Sequence, residues 1–417
     1  MSDYQSNWAG SLQYHARHVI RPRTLEELQE AVASADRVKA LGSRHSFSDI
    51  ADTDGVQISL DRMDHVLSLS DAAAGPSVTI EGGLAYGPLC DYLNAHGWAL
   101  PNMASLPQIS VAGACATATH GSGVRNGSLA TPVSAITVVT ADGSLREIQR
   151  GDADFDGAVV GLGALGVVAR LTLDLTPAFE MRQDVYEGLP LAAAQDRVDD
   201  IMGAAYSVSL FTDWRGPRFT QVWLKSRVGD DRPAIDLAGA APAVKNLSPL
   251  VHSPENCTQQ LGVIGPWHER LPHFRMGATP SSGCELQSEY FVARDDAPAA
   301  LGGVASLADR IAPLLQVCEV RAIAGDQHWM SMAYGRDSAA IHFTWIRDAD
   351  AVGALLPAIE ERLAPFAARP HWGKLFDVDP QALAARYPRH GDFRALTDRW
   401  DPGRKFGNAF LDRYVMF

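Results

Sequence analysis

A chain of 417 residues is too long for one ordinary hydrophobic core and points to two or three domains. Hydrophobic residues at 46% and charged residues at 20% are the values of a soluble globular protein, and 36 Lys plus Arg against 49 Asp plus Glu leave a net charge of −13, which excludes a general nucleic-acid binder. Five scattered cysteines (Cys90, Cys115, Cys257, Cys284 and Cys318) without a CxxC pair exclude a disulfide framework or a zinc site; with no leader and no apolar run of about 18 residues, a soluble cytoplasmic protein without a metal or a membrane partner is expected.

Residues 24–35, TLEELQEAVASA, have helical spacing, with Thr24 as cap and Glu26 and Glu27 at the positive end of the helix dipole. RVKALG then reads as a buried strand. GSRHSFSDI (42–50) follows as a glycine-led turn that sets His45 beside an arginine and serines. QISL and SVTIEGG alternate as strands, and YGPLCDYLNAHGWAL (86–100) is a helix closed by Gly97. SLPQISVAGACATATHGSG (105–123) mixes glycines, alanines and hydroxyls. Such a stretch either lets backbone N–H groups reach an anionic ligand or is a tightly packed loop between strands. AITVVTADGSLREI is a hairpin, with Asp142–Gly143 expected in a type I′ turn. GLGALG (161–166) matches GxGxxG, yet VVARLTLDLT after it alternates like a strand. Without a helix there is no dipole to meet a pyrophosphate, so these glycines read as a loop that lets backbone approach a cofactor and not as a Rossmann turn.

The texture changes at about 176–190, where a domain boundary is expected. Long strands follow (YSVSLFTDW, FTQVWLKSR, CELQSEYFVA, VCEVRAIAG, AAIHFTWIR), with helices at about 297–313 and 351–364 and an extended loop region over 228–283. This pattern predicts a mostly antiparallel α+β domain over 177–378, between a first domain over 1–176 and a C-terminal segment over 379–417. Three of its strands carry a polar face opposite an apolar one, because strand side chains alternate. Glu319 and Arg321 share a face, as do His342 and Thr344, and Gln287 and Glu289. Those faces either line a wet pocket or form a solvated outer surface with weak ion pairs. RPHWGKLF (369–376) adds His371 and Lys374 around a turn glycine.

GSRHSFSDI, SLPQISVAGACATATHGSG, GLGALGVV, HWGK and DPGRKFGNAFL occur in that order along the chain. Together they resemble the vanillyl-alcohol-oxidase superfamily of flavoenzymes, in its aldonolactone-oxidase-like branch, and within it the alditol oxidases of xylitol oxidase type. The resemblance covers essentially the whole chain. It implies an α+β fold: a two-subdomain FAD-binding domain of the p-cresol methylhydroxylase type, an α+β cap domain that bears the substrate site, and a tail that returns to the FAD domain. It implies FAD bonded covalently to His45. The cofactor would be cradled by Leu41, Gly42, Ser43, Arg44, His45, Ser46 and Phe47 and by Ser105, Ser110, Gly113, Ala114, Ala116, Thr117, His120 and Gly121. Ala164, Gly166 and Val167 would contact its adenine half, and His371 would lie near the flavin. Substrate would meet Ser105, Gln287, Glu319, Arg321, His342, Thr344 and Lys374, with His342, Lys374 and Arg321 catalytic. The implied activity is oxidation of a terminal alditol hydroxyl, with a polyol and oxygen as small-molecule partners, in a monomeric enzyme. An aldonolactone oxidase or dehydrogenase on the same fold, or a non-catalytic flavin-binding protein, are the alternatives.

Overall fold

The computed structural model describes residues 5–71, 75–230, 235–250, 254–278 and 285–416. Cys284 lies outside them. The first layer is a three-stranded parallel sheet of His18–Ile20, Val56–Ser59 and Val38–Leu41, with Val56–Ser59 central. Helix Leu25–Ser34 packs on it through Leu28, Ala31 and Val32, an i, i+3, i+4 stripe, and Thr24 Oγ1 accepts the Glu27 N–H at its start.

The second layer is a five-stranded antiparallel sheet in the order Val66–Ser70, Ser77–Glu81, Val167–Asp174, Val133–Val139, Leu145–Gln149. Val167–Asp174 alternates strictly between buried and half-buried positions, as a strand does when one face meets a core. The strand begins directly after the Gly161–Gly166 loop, with no helix between. The hairpin at Asp142–Gly143 forms, but its turn is not type I′. Only Gly143 takes positive φ (82°), and Gly143 N–H bonds the Thr140 carbonyl at 2.8 Å. The Asp142 carboxylate accepts the Ser144 N–H and the Thr140 hydroxyl, so Asp142 needs no left-handed backbone and the loop is one residue longer.

A nine-stranded sheet begins at Glu180. Its order is Ala241–Pro242, Glu180–Pro190, Arg218–Arg227, Ser207–Thr212, Leu315–Ile323, Ser338–Ile346, Glu285–Ala293, Arg369–Pro370, with Gly265–Pro266 also beside Glu180–Pro190. Every pairing in it is antiparallel. Helices Ala297–Ala305 and Ala349–Leu363 share one core with Val320, Ile341, Phe343 and Trp345, which places those helices on the apolar face. The expected helix over 297–313 is broken after Ala305 and resumes at Ala308–Ile311. Gly302 and Gly303 weaken it there, each costing roughly 1 kcal/mol relative to alanine.

The last three helices, Pro380–Ala385, His390–Trp400 and Ala409–Tyr414, pack into the core of the first half through Leu383, Phe393, Leu396 and Phe410. Asn408 donates to the carbonyls of Asp49, Ile50 and Asp52, and Lys39 donates to Phe406. Phe47 N–H and Ser48 Oγ reach the Gly373 and Trp372 carbonyls, both at 2.7 Å. The His45 turn is therefore held from two distant parts of the chain. Among the described residues, no helix is long and apolar enough to cross a membrane.

Candidate active site

A cavity of about 540 Å³ separates the glycine-rich loops of the first half from the polar face of the nine-stranded sheet. On the loop side, Ser43 N–H donates to Ser110 Oγ at 3.3 Å and Ser110 N–H donates to Ser43 Oγ at 3.0 Å. This pair joins the two loops. A Cβ on Gly42 or on Gly113 would come within 2.7 Å of Ser110 Oγ, so both positions need glycine for close approach. The stretch after Ser105 is not wholly a loop: Ser110 precedes a short helix, Val111–Ala116. Arg44 sits at φ 64°, an uncommon conformation for a non-glycine residue, and its carbonyl accepts the Trp8 N–H at 2.8 Å. That turn sends His45 into the cavity wall, with the Trp8 ring stacked on it at 5.4 Å. Ser43 Oγ also pairs with His45 Nδ1 at 3.0 Å. Burial pushes the His45 pKa down to about 4, and the imidazole is neutral.

On the sheet side, the register sets Glu319, His342 and Glu289 directly abreast, with Thr344 beside Gln287 one step along. The face is not solvated. Glu289 is 1% exposed, Glu319 4% and Arg321 6%. Glu289 is the hub. Its Oε2 accepts Lys374 Nζ at 2.8 Å, and its Oε1 accepts Arg321 and faces His120 Nε2, each at 3.1 Å. Burial alone would raise the Glu289 carboxyl, but Lys374 and the other donors outweigh it and hold it well below the carboxylate range. Glu319 Oε1 is 2.7 Å from His273 Nε2 and 3.5 Å from Arg321 Nε. Arg321 also reaches Ser105 Oγ at 3.3 Å, tying the sheet to the loop side.

Two tautomers follow from these partners. Gln287 Nε2 donates to Glu285, so its Oε1 faces His342 Nε2 at 3.2 Å and must accept a proton from it. His342 Nδ1 is then a lone pair, buried and without a hydrogen-bond partner, on a residue that lines the cavity. Burial, and then Lys374, push the His342 pKa down to about 3. His371 Nδ1 accepts the Gly373 N–H, which puts its proton on Nε2, toward Thr119 Oγ1.

All the sequence-selected substrate residues line this one cavity, and so do the selected cofactor residues except Gly121 and Ala164. Gly121 is close-packed against Asn102 and Met103 instead, and Ala164 is buried behind the wall. Glu289 was legible only as a neighbour of Gln287 on one face. Lys225 and His273 carried no signal as site residues. His273 lies in the turn-rich stretch, although Lys225 shares its strand parity with the buried Trp223.

The FAD that the resemblance implies fits this arrangement. The wall it would occupy is backbone and small residues where a Cβ would collide, beside a neutral, buried histidine. Residues 16–149 match the family described as "FAD binding domain", and residues 284–414 match "D-arabinono-1,4-lactone oxidase". The chain is 52% identical to an alditol oxidase from a Streptomyces species over 415 residues, 99% of each chain. It is 31% identical to the L-gulono-1,4-lactone dehydrogenase of Mycobacterium tuberculosis, over 100% of both chains. A cholesterol oxidase from B. sterolicum shares the fold with a TM-score of 0.79 at 14% identity, over 98% of this chain and 96% of that one.

Proposed function

The chain belongs to the alditol oxidase family of FAD-dependent oxidoreductases, and on that premise we propose how its residues oxidise the terminal hydroxyl of an open-chain polyol such as xylitol or sorbitol. The observation that carries the reading is the buried polar face, where two carboxylates, an arginine and a lysine stand around one unpartnered imidazole nitrogen. A polyol offers a row of hydroxyls, and a site of fixed donors and acceptors selects it over analogues that lack them. Glu319 accepts hydroxyl protons; Arg321, Lys374 and Ser105 donate; Gln287 and Thr344 border the same face. Glu289 keeps Arg321 and Lys374 in place.

FAD, when bound, accepts the hydride and passes the electrons to oxygen, which leaves as hydrogen peroxide. Ser43, Ser110 and the backbone around Gly42 and Gly113 would hold its phosphates, with His45 as the point of covalent attachment. His342 Nδ1 takes the hydroxyl proton. Its depressed pKa keeps the lone pair free, and the proton becomes more acidic as hydride leaves the same carbon, so a weak base suffices. Such a base contributes roughly 100- to 10,000-fold. Lys374 and Arg321 stabilise the alkoxide charge that develops on the substrate oxygen. The acidic balance and the buried free thiols of Cys90, Cys115, Cys257 and Cys318 support a cytoplasmic setting.

The test is anaerobic reduction of the flavin absorbance together with aerobic peroxide release, with xylitol and sorbitol set against a γ-lactone. Bleaching by neither class would leave a binding protein only. Bleaching by the lactone alone would give the second reading, which the match of residues 284–414 to a lactone oxidase family favours.

A further inference from the structure

Beside Glu319 lie two groups that the chemistry above does not use: His273, which shares the cavity wall with Glu319, and Lys225, which is buried behind it. Lys225 Nζ is fully buried and bonded to the Leu271 carbonyl at 2.6 Å, the Pro272 carbonyl at 2.9 Å and His273 Nδ1 at 3.0 Å. His273 Nε2 is 2.7 Å from Glu319 Oε1. The partners fix the protons. A carboxylate at Nε2 requires an N–H there. With both carbonyls taking amine protons, the pair holds one further proton between Lys225 Nζ and His273 Nδ1. Wherever that proton sits, the dyad carries one positive charge and Nε2–H points at Glu319. The His273 ring is clamped as well, by Phe211 at 5.6 Å and Trp223 at 5.2 Å, both edge-on.

We propose that Lys225 and His273 are positioning residues that lock Glu319 in a single ionised orientation, with Oε1 occupied and Oε2 left as the acceptor for a substrate hydroxyl. His273 and Arg321 both address Oε1, and Glu319 lines the cavity. Without the dyad, the carboxylate would be free to turn both oxygens onto Arg321, since bidentate pairing is the preferred geometry of that pair. The polyol would then lose an acceptor and its alignment. The inference rests on Glu319 binding substrate, as proposed above. It adds that the site's hydroxyl specificity is set from two strands away in the same sheet, by Arg218–Arg227, and from the 271–274 segment.

The test is a mutant cycle on the flavin-loaded enzyme, with kcat and KM for xylitol, affinity for xylose (the aldose that oxidation of a terminal xylitol hydroxyl gives) by calorimetry, flavin content and melting temperature as readouts. His273→Leu is expected to lower kcat/KM about 100-fold, the cost of misplacing a group by about 1 Å, and to weaken xylose binding. His273→Gln, whose side-chain N–H reaches the same carboxylate, is expected to restore most of both. In a Glu319→Gln background, His273→Leu is expected to cost nothing further. If the isolated ammonium left by His273→Leu prevents folding, Lys225→Met/His273→Leu removes both partners and carries the same comparison. The proposal is overturned if His273→Gln and His273→Leu behave alike, or if the His273 loss multiplies with that of Glu319→Gln. Wild-type turnover and binding in Glu319→Gln alone would instead remove the substrate role of Glu319, and the inference with it.

Discussion

Replacing Glu289 with glutamine tests whether the polar face is a buried charge cluster. The carboxylate meets Lys374, Arg321 and His120, and its side chain is wholly inaccessible. The amide would keep the shape but remove the charge, leaving Lys374 without a counter-ion and Arg321 with Glu319 alone. Breaking a buried pair in this way costs about 3–5 kcal/mol. The unfolding entropy of roughly 2.1 cal/mol/K per residue gives about 0.9 kcal/mol/K over 417 residues, so Tm should fall by about 3–6 °C if the chain melts as one unit. Scanning calorimetry at neutral pH and equal flavin load measures this. Adding Lys374→Met should recover part of the loss, because an apolar replacement removes the stranded charge. A single variant melting within about 1 °C of the parent would refute the reasoning, as would a double variant whose losses simply add.

Three other outcomes are expected. His342→Ala should slow flavin reduction in single-turnover stopped flow by about 100- to 10,000-fold, and near-normal reduction would remove its role as base. His45→Ala should give a colourless pellet on acid precipitation where the parent stays yellow; a colourless parent pellet would exclude the covalent bond. Stability should fall on acidification, because burial pushes His273 down to about 4 and His342 to about 3. Between the unfolded value near 6.5 and pH 4 the unfolded chain binds protons that the folded one refuses, giving a slope of up to ~2.7 kcal/mol per pH unit for the two. A Tm that is flat or rising as pH drops through that window would contradict the neutral state of both rings.

Strand alternation was enough to put Glu319 with Arg321 and His342 with Thr344, because period 2 is fixed by backbone geometry. It could not say whether water or protein covers that face, since alternation carries no information about what packs on a sheet. The hub role of Glu289 was hidden for the same reason. Its donors come from 32, 85 and 169 residues away and meet only in the fold. His273 sits in a segment without any period, so nothing local marks it. Gly121 shows the converse limit. A glycine signals close approach but not to which neighbour, and here the neighbours are Asn102 and Met103. The whole-chain resemblance supplied the cofactor, which no single glycine motif specified.

The grip on the His45 turn has a consequence for biosynthesis. The turn leaves the ribosome within the first fifty-odd residues, yet Asn408, which holds the Ile50 carbonyl, follows 358 residues later. At roughly 5–20 residues per second that is a wait of about 20–70 s. During translation the Ser43–Ser110 link can form early, but the turn is not braced from behind until the last helix docks. Stable loading of FAD should therefore be a post-translational event. Chains truncated before Ala409–Tyr414 should emerge folded in part and pale.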